Sequence, residues 1–101
     1  MNFRKHILLV EDEAIISYEE KLLLEKYGYD VDTAFSGSEA VDKTLTSESF
    51  ELVLMDINLG QGLSGADAAE LILKSKDIPI LFLSSHTDPE IADKTLQKIL
   101  G

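Results

Sequence analysis

Four apolar runs, each followed by a stretch of helical periodicity, succeed one another along 101 residues with no linker between them. The run at 5–10 leads into a helical pattern at 13–27. There Ile15, Tyr18 and Leu22 recur three and four apart, and Glu19, Glu20 and Lys21 interrupt them, the spacing of one helix face. Gly28 follows as the usual left-handed stop. Residues 30–35 alternate Val31, Thr33 and Phe35 against Asp32 and Ala34, which predicts a strand with one face more exposed. Ser36-Gly37-Ser38-Glu39 is a capping-box pattern opening a second helix to about residue 48. After the run 51–56 comes a glycine-rich loop, 58–65. Ser64 with Asp67 then opens a third helix, on which Ala68, Leu71 and Ile72 share a face. Residues 78–83 are apolar throughout, as in a central parallel strand, with Pro79 near the start where a missing donor does least harm. Asp88-Pro89 opens a fourth helix with Ala92, Leu96 and Ile99 as its apolar face. Strand and helix alternating in this way predict one α/β domain over 1–101, a parallel sheet with right-handed crossovers.

Such a doubly wound sheet binds ligands beyond the carboxyl ends of its strands, where the winding direction reverses. The first strand ends on Glu11 and Asp12, the third on Asp56, and the fourth on the hydroxyls of Ser84 and Ser85, whereas the second ends on Phe35 with no reactive group. Strands one and three therefore flank the reversal, and the predicted order is 2-1-3-4. Three carboxylates converging on one crevice repel one another unless a cation or a proton relieves them. Hard oxygen ligands of this kind suit Mg²⁺.

The formal charge of −10, from 19 acidic and 9 basic residues, repels phosphate backbones and argues against direct nucleic-acid binding. A hydrophobic content of 45% excludes a disordered chain, and no apolar run reaches the length of a membrane span. The first residues lack the apolar stretch of a signal peptide. With no cysteines, disulfides and thiolate metal sites are excluded, which fits a cytoplasmic location.

The segments Ile7-Leu8-Leu9-Val10-Glu11-Asp12-Glu13, Leu52-Val53-Leu54-Met55-Asp56-Ile57-Asn58-Leu59, the later Gly65, and Ile80-Leu81-Phe82-Leu83-Ser84-Ser85 resemble, in order and spacing, the receiver domain of two-component response regulators. The resemblance covers nearly the whole chain and implies a flavodoxin-like fold. It implies that Asp56 is the phosphoacceptor, a carboxylate nucleophile toward the phosphohistidine of a sensor histidine kinase. It assigns Mg²⁺ to Asp12 directly, to Glu11 through water, to Asp56, and to the backbone carbonyl of Asn58. Ser84 matches the Thr/Ser that bonds a phosphoryl oxygen and reorients on activation, and Ser85 a small residue beside it. The implied role is a signalling switch that catalyses only its own phosphorylation and dephosphorylation. Phosphoryl transfer is compatible with such a site, since it asks for an in-line nucleophile and charge neutralisation.

The chain departs from the family in two places. Receivers resembling it continue through a fifth strand, a lysine just past it and a fifth helix, whereas this sequence stops at Ile99-Leu100-Gly101. Lys94 and Lys98 fall in the predicted fourth helix and cannot take that lysine's place. The expectation is an incomplete receiver whose open strand-four edge pairs with another chain as a homodimer or oligomer, or which is part of a longer protein. In addition, Leu59-Gly60 replaces the usual Met-Pro, and Gly65 comes one position late, which predicts a more flexible loop.

Other readings are weaker. Glu13 reads as an ordinary first-turn acid, His6 as a strand-start residue, and His86 as a loop histidine without a catalytic part. Residues 56–67 fail as a calcium loop, with Gln61 where the turn needs glycine and Asp67 where a bidentate glutamate belongs. An aspartyl-phosphate hydrolase of the DxD kind is not matched, since the place after the first strand reads Glu11-Asp12-Glu13, with no second aspartate. A non-phosphorylated pseudoreceiver, acting as a protein-interaction domain, is the alternative function.

Overall fold

The first and third apolar runs become short parallel strands buried on both faces, and the second and fourth flank them half-buried. The computed structural model describes residues 4–47, 49–83, 94, 95, 97 and 98. Its elements are β1 (His6–Val10), α1 (Ala14–Lys26), β2 (Asp30–Ala34), α2 (Gly37–Thr46), β3 (Leu52–Asp56), α3 (Gly65–Ser75) and β4 (Ile80–Leu83). The strands form one sheet in the order β2-β1-β3-β4, every pair parallel, as the strand-end chemistry predicts. Of the predicted fourth helix, only Lys94, Thr95, Gln97 and Lys98 are described, and their backbone is helical. No helix among the described residues is long and apolar enough to cross a membrane.

The core splits across the sheet by strand parity. Leu8, Val10, Val53 and Met55 meet Ala40, Ala68 and Ile72 of α2 and α3 on one side. Ile7, Leu9, Leu52 and Leu54 meet Leu24 of α1 on the other. Side chains at every position of β3 are buried, so its sequence is apolar without alternation until it reaches Asp56.

Two helices begin as the sequence indicates. Ser36 accepts from the Glu39 N–H at 3.1 Å, and the Glu39 carboxylate reaches back to the Phe35 N–H at 2.6 Å. Ser64 accepts from the Asp67 N–H at 3.0 Å. Gly28, at φ 100°, ends α1. On α3 the buried face is Ala68, Ala69 and Ile72, while Leu71 turns outward.

Helix α1 turns its most apolar stripe away from the sheet. Ile15, Tyr18 and Leu22 are exposed, at 76%, 64% and 47%. The face turned to the sheet is the next one round, with Ser17 and Leu24 buried and Ile16, Glu20 and Leu23 half-buried. This inward face also has helical spacing, but a serine and a glutamate disguise it. The Ser17 hydroxyl is enclosed there without a hydrogen-bond partner among the described residues. Ser17→Ala is therefore expected to stabilise the fold by about 1 kcal/mol, since an unsatisfied buried hydroxyl costs roughly that much. Urea denaturation of the two proteins checks this, and a loss of stability would show that the hydroxyl is satisfied.

Strand β2 forms one flank of the sheet. The Asp30 N–H and the Ala34 carbonyl bond toward the β1 side, to the Lys5 carbonyl and the Glu11 N–H. By alternation the polar groups of Thr33 point outward. Both are occupied: its N–H donates to Asp32 Oδ1 at 2.9 Å, and its carbonyl accepts from Lys43 Nζ of α2 at 2.5 Å. Lys43 also pairs with Asp32 at 3.4 Å.

Candidate functional site

Parallel pairing of β1 with β3 sets Val10 beside Met55, so Glu11, just past β1, and Asp56, the last residue of β3, stand at the same level. Glu11, Asp12 and Asp56 consequently each bring a carboxylate oxygen within 4.8 Å of the others. Glu11 and Asp56 are buried, at 2% and 6% exposure, while Asp12 is exposed. The Glu11 N–H still pairs with the Ala34 carbonyl of β2, and Glu11 Oε1 accepts from the Glu13 N–H at 3.1 Å. Asp56 is fixed from its other side. Its Oδ1 accepts from the Asn58 N–H at 3.2 Å, and the next amide, Ile57, donates to the Leu83 carbonyl of β4 at 2.9 Å.

Burial pushes the Glu11 carboxyl up to about 8. The Glu13 amide opposes the rise, while the hydrogen bond and charge of Asp56 add to it. One proton thus relieves the crowding when no cation does. A fourth carboxylate, Glu20 of α1, lines a narrow space beneath the cluster with Glu11, Asp56, Leu54 and Leu83. Burial and then the charge of Asp56 raise its pKa to about 7. Among the candidate site residues, Glu20 was missed in the sequence, where it looks like an interruption of the outer stripe. Its spacing of three from Ser17 and four from Leu24 was the available signal.

The donor set fits a small hard cation. Carboxylate oxygens carry the charge, and their 4.8 Å spread exceeds the roughly 4.2 Å span of an octahedral Mg²⁺ shell by an amount that side-chain rotation covers. Asn58 lies at the mouth of this cluster through its bond to Asp56. Ser84, Ser85 and His86 lie outside the described residues, so only the strand that leads to them is placed, with Asp56 registered against Leu83.

The loop 58–64 meets the cluster at Asn58 and Gly60. Leu59 is buried in the core, and Leu63 packs against it. Between them Gly60 and Gly62 take positive φ, at 34° and 90°. Proline's ring fixes φ near −65°, so the Met-Pro common in resembling chains does not fit this backbone path.

A family model described as the response regulator receiver domain matches residues 7–99. The phyllosphere-induced regulator PhyR of Methylorubrum extorquens is 35% identical over 83 residues, 81% of this chain and 31% of PhyR. The aerobic respiration control protein ArcA of Escherichia coli is 35% identical over 96 residues, 95% of this chain and 37% of ArcA. The chain thus spans well under half the length of these relatives. Among solved structures, the response regulator protein TrrA of Thermotoga maritima, in complex with Mg²⁺-BeF, superposes with a TM-score of 0.81 at 27% identity, covering 93% of this chain and 97% of that one. A complex of the histidine kinase ThkA with TrrA matches with a TM-score of 0.86 at 29% identity, covering 96% and 99%.

Proposed function

This chain belongs to the response regulator receiver domain family, and from that premise we propose that Asp56 accepts a phosphoryl group from a histidine kinase with the help of Mg²⁺. The observation that carries the proposal is the meeting of the Glu11, Asp12 and Asp56 carboxylates at the end of the β1–β3 pair. A cluster of three acids with two buried members has no evident part in stabilising the fold. A bound divalent ion would neutralise charge on the transferring oxygens.

The chain's own groups divide the remaining work. The Asn58 N–H engages Asp56 Oδ1, which leaves Oδ2 as the attacking atom. In the transfer, the phosphorus–nitrogen bond of a phosphohistidine breaks, and its electron pair leaves on the imidazole. A phosphorus–oxygen bond forms to Asp56, giving an acyl phosphate. Asp12 and Asp56 are the direct metal ligands in this reading, Glu11 acts through water, and the Asn58 carbonyl completes the protein's share. Ser84 supplies a hydroxyl donor to the phosphoryl oxygens, with Ser85 beside it. The product changes the charge at the junction of β3 and β4, where the Ile57–Leu83 hydrogen bond lies. That junction is where a conformational readout would begin.

The partner face we assign to the kinase is the exposed side of α1. Its stripe of Ile15, Tyr18 and Leu22 begins one turn from Asp12, so a helix laid on it would present a histidine to the acidic cluster. In this reading the domain is a signalling module of a cytoplasmic two-component system.

Intact mass after incubation with acetyl phosphate tests the proposal. One phosphoryl gain is expected with Mg²⁺ and none with EDTA. The absence of any gain with Mg²⁺ would reject phosphoacceptance by this chain and leave it an interaction domain.

A further inference from the structure

Gly60 stands directly against Asp12. A Cβ built on Gly60 would lie 2.8 Å from Asp12 Oδ2, closer than real side chains approach. The backbone there has φ 34°, within the left-handed region, so both the conformation and the space favour glycine. The loop cannot readily step back to admit a methyl group. Leu59, the preceding residue, is anchored in the core at 5% exposure. Three residues on, the Leu63 carbonyl lies against α2, where a Cβ built on Gly37 would come within 2.7 Å of it. Pinned on both sides, the loop holds Gly60 against the carboxylate.

Asp12, by contrast, is exposed and its carboxylate is the free end of a short side chain. A methyl group at position 60 would therefore displace the Asp12 oxygen and leave the loop in place. We infer that Gly60 is a positioning residue for the metal pocket: the close approach of its bare backbone sets where the Asp12 carboxylate stands toward Glu11 and Asp56. This deepens the proposed function and rests on Asp12 being a Mg²⁺ ligand. It also gives the departure from Met-Pro a chemical consequence, because the glycine path shapes one wall of the ion site.

Mg²⁺ demands near-ideal octahedral geometry, whereas Ca²⁺ tolerates irregular shells. A displaced Asp12 oxygen should therefore harm Mg²⁺ binding more than Ca²⁺ binding, a distinction that general loosening of the loop would not produce. Gly62 provides the matched control. It also has positive φ, at 90°, but a Cβ there meets nothing within 4 Å.

The experiment is calorimetric titration of the full chain with Mg²⁺ and with Ca²⁺, comparing wild type, Gly60→Ala, Gly62→Ala and Asp12→Ala, each checked for folding by circular dichroism. The expected result is a Mg²⁺ affinity about tenfold weaker in Gly60→Ala, with a smaller loss for Ca²⁺ and near-wild-type values for Gly62→Ala. Equal losses in both glycine variants, or equal losses for both ions, would overturn the positioning role and leave only backbone strain. Wild-type-like Mg²⁺ binding in Gly60→Ala would overturn it outright. Mg²⁺ binding by Asp12→Ala as tight as by wild type would instead remove the metal reading on which the inference stands, and the inference with it. If Gly60→Ala fails to fold, Gly60→Asn, which tolerates positive φ better, is titrated in its place, and the same outcomes decide.

Discussion

Asp56→Asn is expected to abolish phosphoryl gain from acetyl phosphate at every Mg²⁺ concentration while leaving the fold intact. The amide keeps the size of the carboxylate and an oxygen to accept from the Asn58 N–H, so the end of β3 has no reason to move. What disappears is the carboxylate anion proposed as the nucleophile, and a neutral amide oxygen does not replace it. The same change removes a negative charge that raises the pKa of both Glu11 and Glu20. The metal-free variant should consequently be more stable than wild type at pH 8, by about 1 kcal/mol or more. Mass spectrometry reads the first effect and denaturant unfolding in EDTA the second. A phosphoryl gain persisting in the variant would move the acceptor away from Asp56.

The metal-free protein should also lose stability as pH rises, the reverse of an ordinary acid-sensitive domain. Glu11 titrates near 8 and Glu20 near 7 in the folded chain, against an ordinary value of 4.5. Between those values the folded state binds more protons than the unfolded one, so unfolding free energy falls with increasing pH. The contribution is fully present below about pH 4.5 and is lost progressively up to about pH 8. Each unit of separation corresponds to about 1.4 kcal/mol at most. Because Glu20 is only half-buried and screened by solvent, the combined loss from pH 5 to 8 should be on the order of 3 kcal/mol. Mg²⁺ should restore much of it at pH 8, since an ion at a hundred times its dissociation constant stabilises by about 2.7 kcal/mol. Glu11→Gln should flatten most of the dependence and thereby separate it from the general repulsion of a chain with net charge −10. Urea unfolding at both pH values, with EDTA or Mg²⁺, makes the comparison. A stability that is level or rising toward pH 8 in EDTA would show that the cluster is not strained.

Burial redistributes a cost that the sequence places on Asp12. Adjacent acids after β1 suggest that Asp12→Ala would relieve the repulsion. Asp12 is solvated, however, and Glu11 is the member enclosed beneath the sheet's end. Which of two neighbouring acids turns inward depends on strand parity relative to the helix above, and composition carries no trace of it.

Strand order and the acidic cluster were legible because they follow from simple rules: alternating elements require a parallel sheet, and carboxylates collect where its winding reverses. The inward face of α1 was not legible because two stripes satisfy the same period. The purer one, Ile15-Tyr18-Leu22, is outside, and the inner one includes Ser17 and Glu20. A site that buries an acid breaks the pattern by which burial is recognised. Gly60 was visible as a departure and read for flexibility, whereas its close approach to Asp12 was not legible in the sequence. Its neighbours at 59 and 63 pack on the core, and the glycine serves close approach. Strand β4 was read as central, yet Phe82 is 41% exposed, and β3 is its partner strand in the sheet.

At Thr33, Asp32 and Lys43 occupy the outward N–H and carbonyl of β2. A foreign strand arriving on that flank would have to strip an ammonium from a carbonyl and a carboxylate from an amide before it could form a ladder there. An added strand would be opposed there, while β4, on the far flank among the described strands, is hydrogen-bonded to the neighbour of Asp56. Whatever docks on that side would meet the strand that bears this bond.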